Sequence, residues 1–463
     1  MPGADDRAKT GATAMGTQRN GFSRESFILS VDVGTTSIRG HVYDKEARVR
    51  GSCTAKIVPL YPEVGHVEMD PDALWRGFIT VAKGAVQDAG VQMRQIEALG
   101  ISTQRSTFTT WDRRTGVPFH NFITWQDQRA ADLVKSWNRC WTMKAIHGVM
   151  KVLYFLTRQK RSLAASLIVF STQHVTFRLV WALTHYQQVR EAIEEGNCCF
   201  GTIDTWLLFK LTKGQIHATD YSNASATGIF DTYQVLLCEH VAPLSGKPHT
   251  SVAGLYPVVG WKIGSEVVYL AEGNAADTGT AIKWAQELEL FSDVRDTAAM
   301  AYSVADSDGV CFVPSFSGLQ APLNDPKACA SLMGLKPSTT KTSLKEDLPF
   351  EYLYLLPPSR LRVDGGVSLN DFVMQLTADL LDRKVARPQH HEMSCLGAAF
   401  VAGLEVGFWK NREELKKLQG TDKVFLPRGA AKEDSACPSR EYVHVLQRWE
   451  RALRRSMNWY SKP

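Results

Sequence analysis

The stretch that decides the fold of this chain is an apolar, β-prone run that ends in a Gly/Thr turn: Phe27-Ile28-Leu29-Ser30-Val31-Asp32-Val33-Gly34-Thr35-Thr36-Ser37. Two further apolar runs follow at residues 38–43 and 48–55, and polar residues separate them. Short apolar runs bounded by turn residues are typical of strands. The pattern therefore predicts a strand, a tight turn, a returning hairpin strand and a third strand.

The rest of the chain alternates between helix and strand patterns. Residues 71–89 have apolar side chains at helical spacing, residues 96–102 form a strand-like run, and helical spacing returns at 281–285 and 397–403. Alternation of this kind is typical of α/β proteins, so the predicted fold class is α/β. The length of 463 residues suffices for two or more domains of about 100–200 residues each.

The turn after the first strand has the chemistry of a phosphate-binding loop. Gly34 has no Cβ to block a ligand, and the backbone N–H groups of Thr35 and Thr36 can face phosphate oxygens. The carboxylate of Asp32 can hold a magnesium ion near the same phosphates. A tight hairpin turn whose threonines only cap the backbone explains the pattern equally well, so the residues alone leave both interpretations open.

A second glycine element lies near the other end of the chain, where Gly365-Gly366 follows Asp364 and precedes a helical pattern. Its backbone can border a flat adenine ring, and the amide of Asn370 can bind the edge of that ring. Taken singly, an ordinary strand-to-helix turn is the favoured interpretation. The occurrence of two such elements, one near each end, instead suggests two similar domains that close on one nucleotide.

These elements together resemble the FGGY family of carbohydrate kinases, from about residue 27 to residue 459 with two interruptions. The matching segments are residues 32–39, 201–211, 219–225, 312–326, 363–381 and 394–409. The resemblance implies an actin-like ATPase fold, in which two ribonuclease-H-like domains enclose a cleft. We therefore expect a disordered tail at 1–25, an N-terminal kinase domain with the substrate and phosphate sites at 26–255, and a curtailed C-terminal domain on the adenosine side at 256–463.

Within the family the chain is similar to the glycerol kinases, which implies phosphorylation of glycerol to glycerol 3-phosphate. In those enzymes the Arg of an Asn-Gln-Arg-Glu-Thr stretch holds the polyol, and Arg105 occupies its place here. Ser106 stands where Glu is usual, and Trp125 matches the aromatic residue that packs on the glycerol backbone. Because a serine lacks the acceptor capacity of a carboxylate, we expect altered polyol affinity or selectivity.

The resemblance also implies that ATP and Mg²⁺ bind between the two ends of the chain. The phosphate side consists of Asp32, which positions the metal, and of the predicted phosphate ligands Gly34, Thr35, Thr36, Ser37 and Arg39. The adenosine side consists of Gly365, Gly366 and Asn370.

The family's catalytic base has no counterpart at residues 232–254. An Ala-Asp-Gln-Gln segment and a Gly-Thr-Gly phosphate loop are expected there, and neither motif occurs in this chain. A second stretch, residues 341–360, replaces a family helix with a proline-bearing sequence. Loss of the base and the loop lowers the rate by several orders of magnitude. The alternative function is therefore a catalytically impaired isoform or pseudokinase that binds nucleotide or a partner protein, and a lost exon or gene-model error is our hypothesis for both stretches.

Composition and charge are those of an ordinary globular protein. Lys and Arg number 53 against 48 Asp and Glu, so the charge does not point to a nucleic-acid partner. Nine cysteines without C-x-x-C spacing predict reduced thiols and a cytoplasmic location. The apolar runs stay shorter than the roughly 18 residues of a membrane span, so we expect no stable membrane insertion. A homo-oligomer is left open.

Two segments are rich in basic residues. Residues 143–161 are both basic and apolar, a composition that can dock on an anionic membrane or a partner. An amphipathic helix packed within its domain also explains this segment and is the favoured interpretation. For the arginines of residues 442–459, a solvated helix face is likewise favoured over a nucleic-acid patch.

Overall fold

The structure of the chain is a computed structural model. It describes the following residues: 25–158, 162, 166, 170–229, 256–264, 266–272, 278–304, 306–319, 323, 325, 327–339, 361–428 and 442–460. The two replaced stretches, 232–254 and 341–360, and the predicted tail up to residue 24 lie outside the described residues.

Helices and strands alternate along the described part of the chain. The strands are β1 Phe27–Val33, β2 Ser37–Tyr43, β3 Val49–Lys56, β4 Glu68–Met69, β5 Ile96–Thr103, β6 Phe108–Asp112, β7 Phe122–Ile123, β8 Cys198–Thr202, β9 Tyr256–Ile263, β10 Glu266–Glu272, β11 Cys311–Val313, β12 Ser331–Met333, β13 Leu361–Arg362, β14 Val385–Pro388 and β15 Thr421–Phe425. The α-helices are α1 Pro71–Asp88, α2 Ala131–Arg139, α3 Trp141–Thr157, α4 Val175–His185, α5 Gln187–Glu194, α6 Ile203–Leu211, α7 Tyr221–Ala226, α8 Thr278–Glu287, α9 Thr297–Tyr302, α10 Asp371–Leu381, α11 Met393–Glu405, α12 Arg412–Leu418 and α13 Val443–Ser456. The mixture confirms the predicted α/β class.

The amino-terminal apolar run forms the middle of a four-stranded sheet with the order β3-β2-β1-β5. Strand β1 pairs antiparallel with β2 and parallel with β5, and every residue of β1 is buried. A strand that is buried throughout has cover on both faces of its sheet. The predicted hairpin and third strand are confirmed.

Helix α1 covers one face of this sheet. It begins after Asp70, whose carboxylate accepts a hydrogen bond of 2.8 Å from the backbone N–H of Asp72. Its buried apolar residues, among them Leu74 and Phe78, belong to the same core as β1 and β2. The end of the helix lies close to β3, since a Cβ on Gly51 would lie 2.2 Å from the nitrogen of Ala89. Glycine therefore permits this packing.

Helix α11, from the other end of the chain, packs against β1 and β5 of this sheet. Its Leu396 and Ala399 are fully buried. A Cβ on Gly100 would lie 2.3 Å from the carbonyl oxygen of Ala398, so small residues let strand and helix meet. The predicted small-residue helix is thereby confirmed. This packing joins the carboxyl-terminal segment to the amino-terminal sheet, and the domain boundaries given above stay a prediction.

A second sheet, in the order β4-β7-β6-β8, lies next in the chain and positions the following helices. The ring of Trp206 in α6 is fully buried and meets Phe122 edge-on at 5.4 Å. Helix α7 begins after Asp220, whose carboxylate accepts a hydrogen bond of 2.9 Å from the N–H of Ser222. This cap fixes α7 beside the loop that follows β5.

The carboxyl-terminal sheet has the order β13-β14-β15 and is covered by α10. Met374 of this helix packs in one core with Val385. Arg387 of β14 binds Asp371, the first residue of α10, at 2.8 Å and Asp422 of β15 at 2.8 Å. These pairs hold the start of α10, and with it the second glycine element, against the sheet.

Candidate active site

The predicted phosphate residues lie at the tip of the β1–β2 hairpin. The N–H of Gly34 donates a hydrogen bond of 2.9 Å to the carbonyl of Ser37. The N–H of Ile57 donates one of 2.9 Å to the carbonyl of Thr36. A Cβ on Gly34 would lie 3.2 Å from the Ser37 oxygen, which is a tight contact that glycine avoids. The turn is thus well defined, and its residues stay predicted phosphate ligands.

Asp32 lies at the end of β1, directly opposite Arg39 of β2. Burial raises the pKa of the Asp32 carboxyl, because the ionised form loses its hydration. A hydrogen bond with Ser102 and the charge of Arg39 act in the opposite direction but do not cancel this effect. A bound Mg²⁺ would stabilise the ionised carboxylate, so the environment of Asp32 fits a magnesium ligand.

Gln104 ties the hairpin to the loop that follows β5. Its backbone N–H donates to the carbonyl of Val33 at 2.8 Å, and its Nε2 donates to the carbonyl of Gly34 at 3.0 Å. Its Oε1 accepts from the hydroxyls of Thr107 at 3.3 Å and Thr35 at 3.5 Å. No role for Gln104 was predicted from the sequence, although it immediately precedes Arg105, the predicted polyol contact.

Trp125 joins the same network. Its indole Nε1 donates to Thr35 Oγ1 at 3.2 Å, and its backbone N–H donates to Thr107 Oγ1 at 3.2 Å. The ring is half-buried, so part of it can still contact a ligand. The structure therefore brings the predicted polyol aromatic and the predicted phosphate turn into direct contact.

Ser106 has a structural role in the loop after β5. Its φ of 61° lies in the left-handed region, where non-glycine residues are uncommon. Its hydroxyl donates a hydrogen bond of 2.9 Å to the carbonyl of Ala226 at the end of α7. The single hydroxyl hydrogen is therefore used within the protein. Arg105, which precedes it, is half-buried and stays the predicted polyol contact.

Arg178 of α4 is fully buried and supports the loop after β5 through hydrogen bonds. Its guanidinium donates to the backbone carbonyls of Ser106 at 2.7 Å, Ile123 at 3.1 Å, Thr124, Thr172 at 2.7 Å and Gln173 at 2.7 Å. Burial lowers the pKa of Arg178. The residue connects the loops that carry Ser106 and Trp125, and nothing in the local sequence identified it.

The carboxyl-terminal half reaches the hairpin through Glu392, the residue before α11. Arg39 Nη1 lies 3.1 Å from Glu392 Oε2, and both side chains are about one-third exposed or less. Burial raises the pKa of Asp364 in the second glycine element, and the negative charge of Glu392 raises it further. Glu392 also raises the pKa of Asp32. Arg39 thus pairs with the carboxylate of Glu392, and its charge also acts on the carboxylate of Asp32. A phosphate can take the place of such a carboxylate partner.

The second glycine element lies against the same segment. The N–H of Gly365 donates a hydrogen bond of 2.9 Å to the carbonyl of His391, next to Glu392. Gly365 has a φ of 80°, which a side chain would strain. Residues Gly366–Leu369 then form a short 3-10 helix. The two predicted halves of the nucleotide site are therefore connected through residues 391 and 392.

Asn370 uses its amide within the protein. Its Oδ1 accepts from the N–H of Val373 at 3.1 Å and caps α10, while its Nδ2 donates to Thr297 Oγ1 at 2.9 Å. These bonds hold α9 and α10 together at the second glycine element. An adenosine contact through Asn370 stays a prediction and would use its remaining hydrogen-bonding capacity.

A metal site made of protein side chains alone is not present among the described residues, since no three His, Cys, Asp or Glu side chains converge there. Mg²⁺ in phosphate sites typically keeps several waters and binds one or two carboxylates together with the phosphates. Asp32 as a single protein ligand is compatible with that mode.

Two family descriptions match this chain. The N-terminal domain of the "FGGY family of carbohydrate kinases" matches residues 27–246, and its C-terminal domain matches residues 238–346 and 355–406. This chain belongs to the FGGY family of carbohydrate kinases. The resemblance inferred from the sequence is confirmed, and this FGGY kinase is a phosphotransferase by family. The interruption at 347–354 falls within the replaced stretch 341–360.

Several relatives of this FGGY kinase bear one name. "Glycerol kinase 5" of Danio rerio is 60% identical and aligns over 97% of this chain and 100% of its own length. "Glycerol kinase 5" of Homo sapiens is 48% identical over 94% of this chain and 96% of its own length. The first alignment runs over 531 residues, which exceeds the 463 residues of this chain by 68. At least 68 aligned positions therefore have no residue here.

Solved structures show the same fold. Plasmodium falciparum glycerol kinase with ADP superposes with a TM-score of 0.69 at 23% identity, over 93% of this chain and 98% of that one. Ligand-bound xylulose kinase from Lactobacillus acidophilus gives a TM-score of 0.66 at 18% identity, over 94% and 100%. This FGGY kinase therefore has the two-domain, actin-like fold that the sequence predicted.

Proposed function

We propose that this FGGY kinase transfers the γ-phosphate of Mg-ATP to glycerol. The observation that carries the proposal is the network of Thr35, Gln104 and Trp125, which places the predicted phosphate turn directly beside the predicted polyol residues. Transfer between two bound groups requires such fixed proximity. The names of the relatives, glycerol kinase 5 and glycerol kinase, support glycerol as the acceptor.

Each ligand group has its own set of proposed binding residues. Arg105 and Trp125 bind and orient glycerol, and the hairpin tip with Arg39 holds the phosphates. Asp32 holds Mg²⁺, which supplies neutralisation of the phosphate charge when it is bound. The turn at Gly365 and Gly366 borders adenosine.

A cytoplasmic location is part of this proposal. The seven cysteines in the described part of the chain are free thiols: Cys53, Cys140, Cys198, Cys199, Cys311, Cys329 and Cys395. Free thiols are typical of a reducing compartment. Fractionation of cells that produce the tagged chain would test the location.

A second candidate function is binding of nucleotide without efficient turnover. Two observations favour it: the Ala-Asp-Gln-Gln segment is absent, and the relative from Danio rerio has at least 68 more aligned positions than this chain. A base that accepts the proton of the attacking hydroxyl contributes about 10²–10⁴-fold to rate. Its loss, together with the missing phosphate loop, would leave the binding residues in place and slow the transfer step.

One experiment separates the two candidates. The purified chain is incubated with glycerol and Mg-ATP labelled in the γ-phosphate, and Mg-ADP binding is measured by calorimetry, each with an Asp32→Ala control. Labelled glycerol phosphate above the control supports the kinase. Binding of Mg-ADP without product supports the second candidate. A folded protein with neither property contradicts both.

A further inference from the structure

Helix α3, Trp141–Thr157, contacts the rest of the protein along one narrow line. The residues on this line are buried or half-buried: Met143, His147, Met150 and Tyr154. Because an α-helix has about 3.6 residues per turn, positions spaced three and four apart lie on one side. This side is attached to the protein, and the remaining circumference of the helix faces outward. The favoured interpretation of residues 143–161 as a packed amphipathic helix is therefore wrong for α3.

The outward side of α3 is apolar. The apolar residues of α3 with the largest exposure, from 58% to 84%, are Trp141, Val149, Val152, Phe155 and Leu156. On a helical projection these residues lie opposite the attached line. A surface helix normally keeps its outward side polar, so the apolar outward side of α3 is unusual. Contiguous exposed apolar surface of this kind marks an interaction site.

Basic residues border this apolar face on one side. Lys144, Lys151 and Arg158 are spaced seven residues apart, so they follow one edge of the helix. The helix sequence contains no acidic residue. In the described part of the chain, none of the three cations forms an ion pair with a carboxylate. Lys144 instead lies 5.1 Å from the ring of Trp141, and Arg158 lies 5.3 Å from the ring of Phe155.

We propose that α3 lies on the surface of an anionic membrane. Exposed aromatic and aliphatic side chains on one face, with cations along its edge, are the features of helices that lie in the lipid interface. Phe155 and Trp141 lie at the two ends of the helix, and aromatic rings are favoured at the level of the headgroups. The three cations complement anionic lipid headgroups.

The mode of binding is interfacial. No described helix has the length and apolar character required to cross a membrane. A protein partner would also cover apolar surface, but an edge of three cations without any acidic residue matches a surface of uniform negative charge. The chemistry therefore favours acidic phospholipid over a second copy of this chain, whose α3 carries the same positive charge.

Vesicle flotation tests the proposal with the full-length chain. Vesicles of phosphatidylcholine alone are compared with vesicles that also contain phosphatidylserine. We expect binding to the anionic vesicles only, weakened by salt. Lys151→Gln should lower the partition coefficient roughly fivefold, and Val152→Asp should lower it by at least about tenfold.

Matched controls lie on other helices. Val445 of α13 is 48% exposed, so Val445→Asp makes the same exposed change away from α3. Lys417→Gln on α12 removes an equivalent exposed charge. Both controls should bind vesicles like the unmodified chain. The proposal is overturned if the folded chain ignores anionic vesicles, if the α3 variants bind as the controls do, or if Val152→Asp abolishes self-association in light scattering while leaving lipid binding intact.

Discussion

Arg39 Nη1 lies 3.1 Å from Glu392 Oε2, and this ion pair connects the phosphate hairpin to the segment before α11. The two residues are 353 positions apart in the chain. The proposed phosphate ligand is thus paired with a carboxylate from the other end of the chain. We therefore expect Glu392 and a phosphate to compete for the same guanidinium.

Neutralising this carboxylate should favour the nucleotide. We expect Glu392→Gln to tighten the binding of ADP without Mg²⁺ by about fivefold, because a nearby negative charge is removed and Arg39 is released. The gain should shrink as the salt concentration rises. Arg39→Gln should weaken ADP binding instead. Titration calorimetry at low and high salt measures both effects.

Glu405→Gln is the matched control, since Glu405 is exposed at the far end of the same helix. Its ADP affinity should equal that of the unmodified chain. Weaker ADP binding by Glu392→Gln would contradict the competition and would show that Glu392 instead orients Arg39 toward phosphate.

Gln104 should contribute both to the stability of the protein and to its affinity for Mg-ADP. Gln104→Leu removes the amide that binds the carbonyl of Gly34 and the hydroxyls of Thr35 and Thr107. Part-buried hydrogen bonds contribute about 0.5–1.5 kcal/mol each, so we expect a loss of about 1–3 kcal/mol in the free energy of unfolding. Mg-ADP affinity should fall as well, because the turn loses its support. Urea denaturation and calorimetry are the measurements.

Gln95→Leu provides the comparison for this variant. Gln95 also uses its side-chain amide, at 3.1 Å from the carbonyl of Glu25, but it lies in the short 3-10 helix before β5, outside the site. The Gln95→Leu variant should have the Mg-ADP affinity of the unmodified chain. Equal Mg-ADP affinities for the two variants would show that Gln104 does not support nucleotide binding.

The sequence predicted the first hairpin, α1 and α11 because local patterns determine them. β1 is a mostly apolar run closed by Gly34, and α1 has helical apolar spacing after Asp70. The small residues of α11 also predicted close packing, which Gly100 and Ala398 confirm. Periodicity and turn chemistry are properties of neighbouring residues, so one sequence suffices to recognise them.

The connections between these elements could not be predicted in the same way. Gln104, Arg178 and Glu392 act through partners that are 70, 72 and 353 residues distant. Each looks like an ordinary polar residue in its own segment. The outward apolar face of α3 was missed for a related reason, since helical spacing shows which residues share a face but not which face meets the protein.

The half-buried His120 should make the second sheet sensitive to acid. Its Nδ1 lies 2.7 Å from the carbonyl of Asn121, so Nδ1 carries the proton, and Nε2 accepts from the Thr110 hydroxyl at 3.0 Å. Burial lowers the pKa of His120 from 6.5 to about 4. Between these values the unfolded chain binds a proton that the folded protein excludes, so stability falls as pH falls. The loss attributable to this residue should reach about 3 kcal/mol.

A His120→Gln variant tests this assignment, because it removes the titrating ring. Its stability at neutral pH should be lower, and the difference from the unmodified chain should shrink on acidification. His185→Gln, on an exposed ring of α4, is the control. Urea denaturation over the acidic range measures the slopes. Parallel pH profiles for His120→Gln and the unmodified chain would show that another group causes the acid sensitivity.

Arg178 should stabilise the two loops that carry Ser106 and Trp125. Replacement by Met keeps the length of the side chain but leaves the buried carbonyls of Ser106, Ile123 and the other acceptors without a donor. An unsatisfied buried polar group costs about 1–3 kcal/mol, and the relief from burying a charge offsets part of the sum. We therefore expect Arg178→Met to lower the free energy of unfolding by about 2–4 kcal/mol.

Arg190→Met separates this effect from the general loss of an arginine. Arg190 also donates to backbone carbonyls, those of Leu183 and Thr184, but it is exposed, so water can replace it. Its free energy of unfolding should change by less than about 0.5 kcal/mol. Glycerol-dependent thermal stabilisation should also disappear in Arg178→Met and persist in Arg190→Met, because only Arg178 holds the carbonyl of Ser106 beside Arg105. Equal unfolding energies for the two variants would mean that water or neighbouring donors replace the buried guanidinium.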